Sequence, residues 1–167
     1  NKIMPLIPEF EGTYFEPFIG AGAVFLKLKP KNAVISDINP DIVNMWKQIK
    51  CNHLKLITLL KSFKVNKKVW NEMNDEFPTL RKTSTKRAAF FMHLLSYIFM
   101  NIYILDKMGR FKNKFIIGKN KTSNKYNINM LKNNKNISYY LNHNDIKIVR
   151  ASYEDVLKKV KKKLLAQ

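Results

Sequence analysis

The chain predicts an α/β fold: a doubly wound sheet opened by a strand, a glycine turn and a helix, followed by a helical middle. Three observations carry this. Two of the five glycines stand two residues apart in "YFEPFIGAGAVF", where an aromatic run meets an aliphatic one. A second short apolar run, "NAVISD", ends on Asp37 and leads into a proline-started helix. From about residue 53 to 104 the alternation stops and helical patterns take over. Strand, turn, helix, strand, helix is the opening of a doubly wound sheet. A length of 167 residues fits one domain, or one with a small insertion, and 46% hydrophobic residues suffice for a sizeable core.

Each element has a local cause. Residues 1–10 read as the end of a short helix stopped near Pro8. "TYFEPF" is aromatic-rich and broken by Pro17, as a short buried strand would be. "AGAVFLKLK" resumes as a helix, and "NAVISD" is the second strand. In "INPDIVNMWKQIK", Asn39 can cap a helix, Pro40 suits its first position and Asp41 favours its positive end. Ile42, Val43, Trp46 and Ile49 then share one helical face. "HLKLITLLKSF", a segment around Trp70 and "TKRAAFFMHLLSYIFMNIYIL" read as helices. "YILDKMGRFKNKFIIG" resembles a hairpin turning at 107–110, and 119–144 is an Asn- and Lys-rich loop with a short helix. "DIKIVRASYEDVL" returns to strand and helix, and the helix continues to the end.

The glycine turn is where chemistry is expected. Gly20 and Gly22 tolerate positive φ and let a ligand approach the backbone, and a helix start beside them offers free N–H groups. Asp37 ends the next strand 17 residues after Gly20, where a carboxylate can accept from both hydroxyls of a ribose. Two features argue against a dinucleotide: Phe25 replaces the third glycine of the fingerprint, and Glu16 at the strand end would repel a pyrophosphate. A carboxylate there suits a ligand with a positive centre, such as S-adenosylmethionine. An ordinary tight turn with a helix-capping Asp37 would carry the same residues, and on the residues alone that alternative stays open.

The net charge of +19 is unevenly spread. Residues 1–50 carry 6 basic and 5 acidic side chains, 51–110 carry 11 and 4, and 111–167 carry 14 and 3. That asymmetry points to a small-ligand pocket first and a polyanion-facing surface after it. A coding bias toward Lys, Asn and Ile would give the same excess without a nucleic-acid partner. Cys51 stands alone, which excludes an internal disulfide and suits a reducing cytosol, so a cytoplasmic location is expected. With His53, His93 and His143 it forms no zinc pattern, so no metal is expected. No apolar run approaches a membrane span.

"YFEPFIGAGAVFLKL…AVISDINPDIVNMW" resembles the first motifs of the D12-class (Dam-like) DNA adenine-N6 methyltransferases, an E-P-F-x-G-x-G turn and an S/A-D-I-N strand end. "KRAAFFMHLLSYIFMNIYILDKMGRF" is similar, without gaps, to a later family segment, and "VRASYEDVL" resembles the D-F/S-Y strand end. The resemblance implies a Rossmann-like S-adenosylmethionine-dependent methyltransferase fold with an inserted helical DNA-recognition subdomain. Residues 1–52 and 145–167 would form the methyltransferase part, and 53–144 the recognition part with its hairpin. Glu16, Pro17, Phe18, Gly20 and Gly22 would line the S-adenosylmethionine site, with Asp37 on the ribose and Ser152 and Tyr153 near the adenine. The hairpin around Lys107–Lys112 would touch duplex DNA. Charge adds Lys86, Arg87, Lys107, Arg110 and Lys112 as the expected DNA set, on a monomer.

The sequence also departs from the family. Adenine-N6 transfer uses a D/N-P-P-Y/F motif, whose acceptors hold the adenine amino group and whose ring stacks on the flipped base. None of the six prolines here is adjacent to another. By the resemblance that motif would follow Gln167, so the chain is expected to be an incomplete enzyme, inactive alone, with no catalytic residue among those given. A non-catalytic DNA-binding remnant is the alternative. The run Phe90, Phe91, Tyr97, Phe99 and Tyr103 is expected in the core rather than as a stacking platform, His93 as a packed helix residue, and Lys158–Lys163 as a solvated face.

Overall fold

Strands β1 (Tyr14–Glu16), β2 (Asn32–Asp37) and β3 (Asp145–Arg150) form a parallel sheet in the order β1-β2-β3. The computed structural model describes residues 4–7, 9–99, 104–116 and 135–164. Tyr14 pairs with Ala33 and Glu16 with Ile35, while Asn32 pairs with Asp145 and Asp37 with Arg150. Parallel strands are covered on both faces, and β2 accordingly buries Ala33, Ile35 and Ser36. The register brings the carboxyl ends of the strands to one edge of the sheet, where open α/β sheets bind ligands.

The helix expected after the glycine turn is much shorter than its sequence suggests. α1 covers only Phe25–Leu28, because the chain is still turning through Ala23 and Val24. Lys29 then ends it in a left-handed conformation, φ 47°, with its N–H on the Phe25 carbonyl, and Pro30 follows. α2 (Pro40–Cys51) is as its sequence predicts: Asn39 Oδ1 accepts from the Asp41 N–H at 2.9 Å, and Val43, Trp46 and Ile49 are buried.

The chain divides into two compact units, Asn1–Val43 with Tyr139–Gln167, and Asn44–Ser138. The first holds the sheet, α1 and α7 (Tyr153–Leu164). There Tyr140, in a helix over 135–142 (α6), donates to the Pro30 carbonyl at 2.8 Å and lies against Phe25.

The second unit is built on α3 (His53–Ser62), α4 (Lys67–Glu76) and α5 (Thr85–Ser96). Asn66 caps α4 through the Val69 N–H, and Ser84 caps α5 through the Arg87 N–H. α5 is buried on nearly every side, which marks a central helix. Trp70 donates its indole N–H to the Leu94 carbonyl inside this core. A polar cluster on Gln48 fixes the start of α5: Gln48 donates to Asn44 and to the Thr83 carbonyl, and accepts from Thr85 and Asn52.

The expected hairpin is a tight turn closed by one antiparallel bridge, Leu105 to Phe111. Asn74 clamps it by bonding both backbone groups of Phe111, whose ring is buried. Of the aromatic run, Phe90, Phe91 and Tyr97 are core residues, but Phe99 is exposed, since it follows the last turn of α5. Tyr103 and most of 119–144 lie outside the described residues.

Candidate cofactor and nucleic-acid sites

Glu16, the glycine turn, Asp37 and Tyr153 all fall at the carboxyl ends of the strands. Gly20 and Gly22 take φ values of 44° and 70°, which an L side chain rarely adopts. The Ile19 N–H donates to the Ser36 carbonyl at 2.9 Å, so the turn starts as a continuation of the β1–β2 ladder. The Asp37 carboxylate then holds the turn: Oδ2 accepts from the Gly20 N–H at 3.2 Å and Oδ1 from the Asn39 N–H at 2.9 Å. It thus ties the turn to the strand end across 17 residues, beyond the local cap that an ordinary Asp at a helix start makes. Each carboxylate oxygen has a second lone pair for a further donor. Nothing lies within 4 Å of where a Gly20 Cβ would stand, so the backbone there faces open space.

Glu16 is half-buried. It accepts from the Tyr14 hydroxyl at 2.8 Å and from the Phe25 backbone N–H, which links the strand end to α1 across the turn. Burial raises its carboxyl above the usual range, and the two hydrogen bonds pull it partly back. Burial, with Glu16 beside it, also pushes the Tyr14 phenol up. Pro17 follows Glu16 in the turn. Phe18 and Tyr153, far apart in sequence, have ring centroids 5.6 Å apart at a 32° tilt, and are 69% and 45% exposed. Ser152 caps α7, its Oγ accepting from the Asp155 N–H at 3.3 Å.

Sequence reasoning missed three participants. Tyr14 is the partner of Glu16, signalled by an i, i+2 spacing that puts both on one face of a strand. Arg150 donates from Nε to the Ile38 carbonyl at 3.1 Å, holding the exit of β2, and Ile38 itself is exposed beside Asp37. No local pattern announces either. A cavity of about 610 Å³, lined by Ile7, Glu9, Phe10, Glu11 and Leu28, is at the approach to β1 and the end of α1, and no expected site residue lines it.

The expected DNA set divides sharply. Arg87 does not belong to it: the residue is 1% exposed, Nη1 donates to the carbonyls of Phe77 at 2.6 Å and Leu80 at 3.3 Å, and the guanidinium sits 4.0 Å from the Phe77 ring centre. A buried guanidinium spent on carbonyls cannot reach a phosphate. Lys86 is ion-paired with Glu76. Arg110 donates from Nε to Asp106 at 3.0 Å and from Nη1 to Asp75 at 3.4 Å. Lys107 and Lys112 are exposed and form no ion pair among the described residues. Among those residues no cluster of three metal-ligating side chains occurs, and no helix is long and apolar enough to cross a membrane.

Fold and site together define a mixed α/β protein with a small parallel sheet and a glycine turn at the sheet's carboxyl edge. Residues 1–165 match the family model of the D12 class N6 adenine-specific DNA methyltransferases, and the chain belongs to that family. It is 34% identical over 168 residues to the Type II methyltransferase M1.LlaDCHI of Lactococcus lactis, covering 93% of this chain and 55% of that protein. It is 38% identical over 52 residues to a DNA adenine methylase of Haemophilus influenzae, covering 31% and 18% of the two chains. Identity is 30% over 113 residues to the Type II methyltransferase M.MjaIII of Methanocaldococcus jannaschii, covering 59% and 39%. The chain thus spans about half the length of the first of these relatives and less of the others.

Proposed function

We propose that this chain supplies the methyl-donor site and the DNA-recognition surface of a site-specific DNA adenine-N6 methyltransferase. In this reading the sheet unit is the S-adenosylmethionine-binding part of a Rossmann-like domain, and the helical unit is the recognition insert. One observation carries the cofactor assignment: Asp37, with lone pairs to spare, is locked onto the N–H of a glycine whose open side faces solvent. The residues present suit that donor. Asp37 would accept from the ribose hydroxyls, the exposed Phe18 and Tyr153 rings would hold the adenine, and the half-buried Glu16 carboxylate favours a ligand with a positive centre. When bound, the cofactor supplies an electrophilic methyl group on a sulfonium. The chain's own contribution is orientation: a turn pinned from both flanks holds the Asp37 carboxylate and the open Gly20 backbone in place before any ligand arrives.

Calorimetry with S-adenosylmethionine tests the assignment. Asp37→Ala is expected to lose about 1–3 kcal/mol of binding, the cost of removing a charged hydrogen-bond partner. Equal affinity of the two proteins overturns it. A second reading, in which these 167 residues bind DNA without themselves transferring a methyl group, rests on their holding no Pro-Pro pair. A labelled-methyl assay on mixed-sequence duplex DNA separates the two. Transfer by these residues alone would exclude the second reading, and binding without transfer would support it for the chain on its own.

A further inference from the structure

Asp106 organises the turn at residues 106–110 almost completely. Its Oδ1 accepts from the N–H groups of Met108 at 2.8 Å and Arg110 at 2.9 Å, and its carbonyl accepts from the Gly109 N–H. The Asp106 N–H donates to the Arg110 carbonyl, and the Lys112 N–H to the Ile104 carbonyl. The Asn74 clamp on Phe111 anchors the turn to α4. On this fixed backbone the Arg110 side chain is fixed as well, between Asp106 Oδ2 and Asp75 Oδ1. Two carboxylates on one guanidinium cancel its charge locally, a poor arrangement for attracting phosphate. They also settle its orientation in advance, and the side chain is still 44% exposed. Among the described residues its other N–H groups have no partner.

We propose that Arg110 reads sequence: its fixed guanidinium makes directed hydrogen bonds to a base edge, guanine above all, while Lys107 and Lys112 supply the phosphate contacts. The proposal rests on the DNA-binding reading above and adds to it a division of labour within the turn. An arginine fork matches the O6 and N7 acceptors of guanine in the major groove. A fork already held by carboxylates loses little side-chain freedom on making that contact. Free lysines act as point charges and carry no sequence information.

The test selects bound duplexes from a randomised pool with the 167-residue chain, then measures affinity for the preferred duplex and for single-base substitutions of it. The wild type should prefer a site containing a guanine whose replacement weakens binding roughly five- to 150-fold. Arg110→Gln, and Arg110→Lys, which keeps the charge but not the planar fork, should both abolish that discrimination. Lys107→Gln with Lys112→Gln should lower affinity for preferred and scrambled duplexes alike. Discrimination that survives in Arg110→Lys overturns the proposal and leaves DNA binding intact, as does a wild type with no sequence preference. Failure of the wild type to bind any duplex overturns the DNA reading itself.

Discussion

In the sheet unit, the acidic residues at the strand ends are held by groups of the glycine turn and its flanks, and the expected ligand residues gather at neighbouring strand ends. In the helical unit the five expected basic residues fall into three conditions: Arg87 is buried as a structural strut, Lys86 and Arg110 are neutralised by carboxylates, and Lys107 and Lys112 form no ion pair among the described residues. The difference has a physical origin. A binding turn is set by backbone conformation and by the neighbouring strand ends of one parallel sheet, so its parts arrive together. A charged surface is set by tertiary packing, which decides for each basic residue whether its charge meets solvent, a carboxylate or a carbonyl.

The sharpest way to break this contrast is at Arg87. If it is a strut, Arg87→Ala leaves the Phe77 and Leu80 carbonyls without their donor and opens a void over the Phe77 ring. Destabilisation of about 4 kcal/mol is expected, read by denaturant unfolding. A DNA-contacting Arg87 would instead give near-native stability and weakened duplex binding.

His93 offers a pH-dependent measure of the same core. It is fully buried between Phe63 and Tyr97, with no hydrogen-bond partner for either ring nitrogen among the described residues, and burial lowers its pKa to about 4. Above about pH 6.5 the imidazole is neutral in both folded and unfolded chains, so it carries no penalty. As pH falls from there toward 4, the unfolded chain takes up a proton that the folded one refuses, and stability drops by roughly 3 kcal/mol. His93→Leu should flatten this acid limb of the unfolding midpoint against pH. An unchanged limb would mean that His93 is hydrated or partnered in solution.

The same contrast explains what could be read from the residues. "NAVISD" and its Asp37 end were legible because a short apolar run and an acidic residue before a capped helix are local signals. α1 was over-read because apolar residues after Gly22 fit a helix, while the positive φ of Gly20 and Gly22 keeps the backbone turning until Phe25. Arg87 looked like surface charge because "TKRAAFF" begins a helix with two basic residues, and only packing against Phe77 decides which of them is inside. The contact between Phe18 and Tyr153 was not foreseen, since 135 residues separate them in the chain; the family resemblance implied only that each would lie at the cofactor site.

The smallest effect separates a free lysine from a paired one. Lys86 and Glu76 are both about half-exposed, so their ion pair contributes less than about 1 kcal/mol to stability. For binding, however, the pair matters, because a lysine already facing a carboxylate releases fewer counterions when a phosphate arrives than a lysine that holds its own counterion atmosphere. Plots of log affinity against log salt concentration for duplex DNA should therefore flatten by about 0.9 units for each of Lys107→Gln and Lys112→Gln. Lys86→Gln should flatten the slope by less. Glu76→Gln, which frees Lys86, should steepen it. Equal changes for all three lysines would mean that Glu76 gives way to DNA, and that the pairing seen in the folded chain has no bearing on which charges face the duplex.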